Sequence, residues 1–178
     1  MSALGDIAAG AKEMNLPFLL AGGHAVIAHG FSRATFDIDL AVRRADKEGW
    51  TRLASDLRYE FYLEGPTFLQ FKPPSSTTLA LDLMMFNEET FAKFVAEAVA
   101  GPVSEPHTRV IALDHLLALK CHAIKYGHKG RIVKDADDVI RLVQINRIDI
   151  NDPGIRDLFV KYGTADLYEK VRRICCED

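Results

Sequence analysis

Two aspartates separated by a single residue carry the most specific chemical signal in the chain. In Phe36-Asp37-Ile38-Asp39-Leu40-Ala41-Val42, a strand puts Ile38, Leu40 and Val42 on one face. Asp37 and Asp39 then project side by side from the other face, where their charges repel. A divalent cation relieves that repulsion. Hard cations such as Mg²⁺ take oxygen ligands, usually one or two carboxylates plus substrate phosphates.

A third acid points the same way. Asp82 is the only charge between Thr78 and Phe86, in Leu79-Ala80-Leu81-Asp82-Leu83-Met84-Met85-Phe86. Apolar residues at both parities suggest a strand buried on both faces. A carboxylate there needs a cation, a metal or a set of donors. A salt bridge to Arg33 or Arg109 satisfies it as well as a metal does. Set in a strand next to Asp37 and Asp39, Asp82 becomes a third ligand.

Upstream, Gly22-Gly23 follows the apolar run Phe18-Leu19-Leu20-Ala21 and opens a short helix from His24 to about His29, closed by Gly30. Glycine lets backbone amides approach an anion, and a helix start favours phosphate. The plainer reading of the pair is a tight turn. Arg33 and Thr35 lead into the Asp37 strand, suited to a phosphate or to steadying the acids. His24 and His29 lie five apart, a poor helical spacing for a shared metal, and are expected to be structural.

The elements that must position these groups form an α/β front half and a helical back half. Leu4, Ile7, Ala8, Ala11 and Met14 have helical spacing. Asp46 to Leu57 reads as a helix with Trp50, Leu53 and Leu57 on one face. Tyr59–Leu63 and Phe68–Phe71 read as strands joined through Gly65-Pro66. Glu88 to Val99 reads as a helix, and Gly101-Pro102 and Glu105-Pro106 then interrupt the chain. From Leu113 onward everything reads as helix. The expected division is residues 1–106 and a helical region over 107–178.

In that region Leu113, Leu116, Leu117 and Ile124 form an apolar stripe with Lys120 in its middle. A lysine so placed snorkels, pairs with Asp135 or Asp138, or grips a nucleotide phosphate in a polar cavity. Asp135 and Asp138 flank the next helical stripe and are expected to orient basic side chains. The basic run Lys125–Lys134 reads as a solvated loop, or as a contact for triphosphate or RNA backbone.

Composition bounds the rest. The 178 residues, 48% hydrophobic and 26% charged, suit a soluble globular protein, and a formal charge of −3 argues against a non-specific nucleic-acid coat. No apolar stretch reaches membrane-spanning length, no signal peptide is evident, and Cys121, Cys175 and Cys176 form no metal-ligand pattern, so a reducing cytoplasm is expected. No Ser-His-Asp, Cys-His or dinuclear-hydrolase cluster stands out.

The run Gly22-Gly23-His24-Ala25…His29-Gly30-Phe31-Ser32-Arg33-Ala34-Thr35-Phe36-Asp37-Ile38-Asp39-Leu40, with Asp82 on a later strand, resembles the signature of the polymerase-β-type nucleotidyltransferase superfamily. It is most similar to a small bacterial group related to AbiEii-type abortive-infection toxins. The resemblance spans roughly residues 17 to 86. It implies a mixed β-sheet core with a C-terminal helical bundle, and transfer of a nucleoside monophosphate from an NTP to a hydroxyl acceptor with release of pyrophosphate. Asp37, Asp39 and Asp82 would be both catalytic and metal-binding, holding two Mg²⁺ ions, with Mn²⁺ the alternative. Gly22, Gly23, Arg33, Thr35 and Lys120 would bind the nucleotide. The acceptor would be tRNA, a protein or a small molecule, and a cognate antitoxin is a further implied partner. A catalytically silent nucleotide-binding protein with the same fold is the rival reading. Oligomeric state is not encoded in any pattern found.

Overall fold

The computed structural model describes residues 2–101, 108–127 and 129–176, without the side chains of residues 129–131. The chain divides into two compact units, residues 1–28 with 33–112, and residues 29–32 with 113–178. The first is a mixed α/β unit. Among the described residues it holds helices α1 (Ala3–Glu13), α2 (Gly22–Ala28), α3 (Lys47–Asp56) and α4 (Glu88–Glu97). Its strands are β1 (Phe18–Leu20), β2 (Asp37–Arg43), β3 (Glu60–Gly65), β4 (Phe68–Lys72), β5 (Ala80–Phe86), β6 (Val99–Ala100) and β7 (Arg109–Val110). They form one mixed sheet of order β3-β4-β5-β2-β1-β7-β6. β6 and β7, two residues each, carry no periodicity and were not expected from the sequence.

Register sorts the side chains onto two faces. Ile38, Leu40 and Val42 pair with Leu81, Leu83 and Met85 across the parallel β2–β5 ladder, and all six are buried. Leu69 and Phe71 of β4 join them, opposite Leu83 and Leu81. Phe18 pairs with Val42 and meets Trp50 of α3 edge to face, ring centroids 5.8 Å apart. Trp50, Leu53 and Ala54 of α3 and Leu4, Ile7 and Ala11 of α1 are buried in that layer. Burying such side chains contributes about 1.5–3 kcal/mol each, so this face holds the sheet together.

The opposite face carries the acids. Burial along β5 alternates, with Leu81, Leu83 and Met85 buried and Ala80, Asp82, Met84 and Phe86 half-buried. The expectation of burial on both faces is therefore corrected. On this polar face Phe86 packs against Phe94 of α4, ring centroids 4.9 Å apart, and Asp82 is half-buried. Arg109 donates to the carbonyl oxygens of Val95 and Ala98 at the end of α4, at 2.8 and 2.9 Å. That is a C-terminal cap.

The second unit contains α5 (Leu113–Tyr126), α6 (Lys129–Ile145), α7 (Pro153–Tyr162) and α8 (Ala165–Cys176). Leu116, Leu117, Cys121, Val139, Leu142, Val143, Phe159, Leu167 and Val171 are buried among them. Asp152 caps α7 by accepting from the amides of Gly154 and Ile155, with Pro153 at the first helical position. Residues 29–32 belong to this unit, and Asn146 Nδ2 donates to the His29 carbonyl at 3.0 Å. The basic run is not one loop: α6 already begins at Lys129. His128, the side chains of Lys129 and Arg131, and the Pro102 and Glu105-Pro106 breaks lie outside the described residues.

Candidate active site

β2 delivers Asp37 and Asp39 to the polar face, and the parallel pairing of β2 with β5 sets Asp39 directly beside Asp82. One carboxylate oxygen from each of the three lies within 4.8 Å of the others. All three are half-buried.

Each acid is held by an uncharged donor from a different element. Thr35 Oγ1 donates to Asp37 Oδ1 at 2.9 Å. The Gly23 amide donates to Asp39 Oδ2 at 3.3 Å. Gln70 Nε2, from β4, donates to Asp82 Oδ2 at 2.8 Å, because Gln70 and Asp82 are antiparallel register partners. A three-carboxylate oxygen set held this way fits a hard divalent cation.

The sequence did not single out Gln70. Its one signal was position: a lone polar residue inside Phe68-Leu69-Gln70-Phe71, at the parity opposite Leu69 and Phe71.

The glycine pair has a steric reason to be glycine. Gly22 sits at φ +48°, and a Cβ there would fall 1.8 Å from Asp39 Oδ2. At Gly23 a Cβ would fall 2.2 Å from Thr35 Oγ1 and 3.4 Å from Arg33 Nη1. Gly22, Gly23, Arg33 and Thr35 are thus gathered around Asp37 and Asp39. Arg33 Nη1 donates to the Ala34 carbonyl at 2.9 Å.

His24, in the first turn of α2, abuts the same group. Burial holds its imidazole below the ordinary value, offset in part by the Asp37 charge and a hydrogen bond to the Asp37 backbone.

Lys120 is placed within the helical unit. Its ammonium lies 2.6 Å from Asp135 Oδ1 and 2.7 Å from Asp138 Oδ2, with all three side chains at 10% exposure or less. The pairing with Asp135 and Asp138 is what the structure holds.

No protein-family model and no curated protein matches the sequence. Solved structures do share its fold. ANT(2″)-Ia in complex with adenylyl-2″-tobramycin superposes with a TM-score of 0.64 at 17% identity, over 89% of this chain and 94% of that one. The lincomycin-bound lincosamide antibiotic adenylyltransferase LnuA gives 0.59 at 17% identity, over 80% and 95%. An antigenic nucleotidyltransferase-like protein from Paracoccidioides brasiliensis gives 0.53 at 13% identity, over 100% and 99%. The chain thus shares their fold, a mixed sheet followed by a helical region.

Proposed function

We propose that the protein is a Mg²⁺-dependent nucleotidyltransferase that moves a nucleoside monophosphate from an NTP to a hydroxyl acceptor. The observation that carries this reading is the meeting of Asp37, Asp39 and Asp82 within 4.8 Å on two parallel neighbouring strands. Those three would hold the metal, as one or two Mg²⁺ ions with Mn²⁺ the alternative. Bound there, it would neutralise charge on the reacting phosphate and lower the cost of ionising the acceptor.

The chain's own groups have distinct tasks. Asp82 takes the proton of the acceptor hydroxyl. The acceptor oxygen then forms a bond to the α-phosphorus, the bond from that phosphorus to the bridging oxygen breaks, and pyrophosphate leaves. Arg33 and Thr35, beside Gly22-Gly23, are the groups suited to the triphosphate. Lys120 is the further candidate for the nucleotide, and its ammonium is paired with Asp135 and Asp138. Catalysis in such a site is mostly positioning and charge stabilisation. Two neighbours of the same fold hold antibiotics or their adenylyl adduct, which supports a small hydroxyl-bearing molecule as acceptor here. A toxin role would instead show as growth arrest on expression, relieved by a cognate antitoxin.

The test is pyrophosphate release from each of the four NTPs with Mg²⁺ and a cell extract. The expected result is release that stops on chelation. Nucleotide binding with no turnover under any condition supports the silent module instead.

A further inference from the structure

The sheet extends past Asp82 on the side away from Gly22-Gly23, through β4 to the edge strand β3. Gln70 is the register partner of Asp82, and Leu63 is the register partner of Gln70. Paired residues share a face, so Leu63, Gln70 and Asp82 line up across three strands, with about 5 Å from each strand to the next. Lys72, two residues beyond Gln70, shares that face.

β3 is irregular here. Phe61 pairs with Phe71 and Leu63 with Gln70, which leaves Tyr62 as an extra residue in a bulge. In a bulge two residues oppose one, and the extra side chain is re-aimed. Phe61 turns to the apolar face, where it meets Phe71 with ring centroids 6.0 Å apart. Tyr62 turns to the Asp82 face, with Lys72 Nζ 4.5 Å above its ring. Tyr62 is 58% exposed and Leu63 47%, both on an edge strand.

We propose that Tyr62, Leu63, Gln70 and Lys72 form the acceptor-binding face of the site, and that the acceptor is a small hydroxylated ring compound. The proposal rests on the transferase reading above. A ring lying on Tyr62 and Leu63 reaches Asp82 across one intervening strand. Gln70 joins the two ends: its Nε2 is spent on Asp82 Oδ2, and its carbonyl oxygen, which accepts no hydrogen bond from the described residues, is left for an acceptor hydroxyl. Charge disfavours RNA on this face. Of the four residues only Lys72 is a cation, and it stands opposite Glu60 in the register, whereas an RNA backbone is held by several cations together.

The experiment supplies α-labelled ATP, GTP, CTP and UTP with Mg²⁺ to the full chain. A cell extract is added as separate small-molecule, RNA and protein fractions. Label is expected in the small-molecule fraction. Tyr62→Ser is expected to slow labelling about tenfold in dilute filtrate, the effect of losing one aromatic stacking contact. Concentrating the filtrate should restore the rate, and binding of the Mg²⁺–nucleotide should be unchanged. Label in RNA or protein overturns the proposal, as does a wild-type rate for Tyr62→Ser at every dilution. Nucleotide binding measured alongside separates the two levels. A chain that binds no Mg²⁺–nucleotide removes the transferase reading itself, whereas one that binds it but labels RNA removes only the acceptor face.

Discussion

Asp39 and Asp82 are direct register partners across the parallel β2–β5 ladder, so two like charges face each other on neighbouring strands. Like charges directly opposite one another destabilise a sheet. Asp82→Asn keeps an oxygen for Gln70 Nε2 and removes the repulsion. Without metal, its melting temperature is expected to equal or exceed that of the wild type. Mg²⁺ should raise the wild-type melting temperature and leave that of the variant almost unmoved, because ligand stabilisation follows the affinity lost. Thermal melts with and without Mg²⁺ read both effects.

Gly22→Ala tests the close approach of backbone and carboxylate. The left-handed φ costs a side chain about 1–2 kcal/mol, and the new Cβ would occupy the position of Asp39 Oδ2. Asp39 must swing away. Metal affinity, read by calorimetric titration with Mn²⁺, should fall at least tenfold even where circular dichroism shows a folded chain. Near-native affinity would show that Asp39 is not held by this turn.

The Lys120 cluster makes a stability prediction for the helical unit. Lys120→Met leaves Asp135 and Asp138 buried without the ammonium they share. Breaking a buried ion pair from one side costs about 3–5 kcal/mol. Urea unfolding should show that loss, and adding Asp135→Asn and Asp138→Asn should recover most of it. A loss that persists in the triple variant would mean that Lys120 contributes through packing.

Thiol chemistry gives an independent check of the packing. Burial pushes the Cys121 thiol up to about 12, so at pH 8 it stays protonated and shielded. Cys176 is exposed. In native protein a thiol reagent should modify Cys176 quickly and Cys121 only on unfolding. Mass spectrometry of the labelled peptides distinguishes them.

Much of the site was legible because alternation alone put Asp37 and Asp39 on one face, and because a charge inside an apolar run had to be satisfied. The fold followed from the same runs. What stayed hidden depends on register. Nothing local says that Gln70 lies opposite Asp82, or that Tyr62 is the extra residue of a bulge, since both follow from how separate strands align. The ion-pair alternative for Asp82 named Arg109, which instead caps α4. For Lys120 the helical stripe allowed several outcomes, and only the packing of α5 against α6 brought it to two aspartates. β6 and β7 are too short for a pattern to exist.

In the proposed function Asp37, Asp39 and Asp82 form one metal-dependent transfer site. The most direct test is Mg²⁺-dependent pyrophosphate release by the wild type and by Asp39→Asn under the same conditions. Release by the wild type is expected, with a loss of at least about 100-fold in the variant, since disturbing even the outer partners of a metal site costs about 10–100-fold. Equal release from the two proteins, with Asp39→Asn folded, would contradict it.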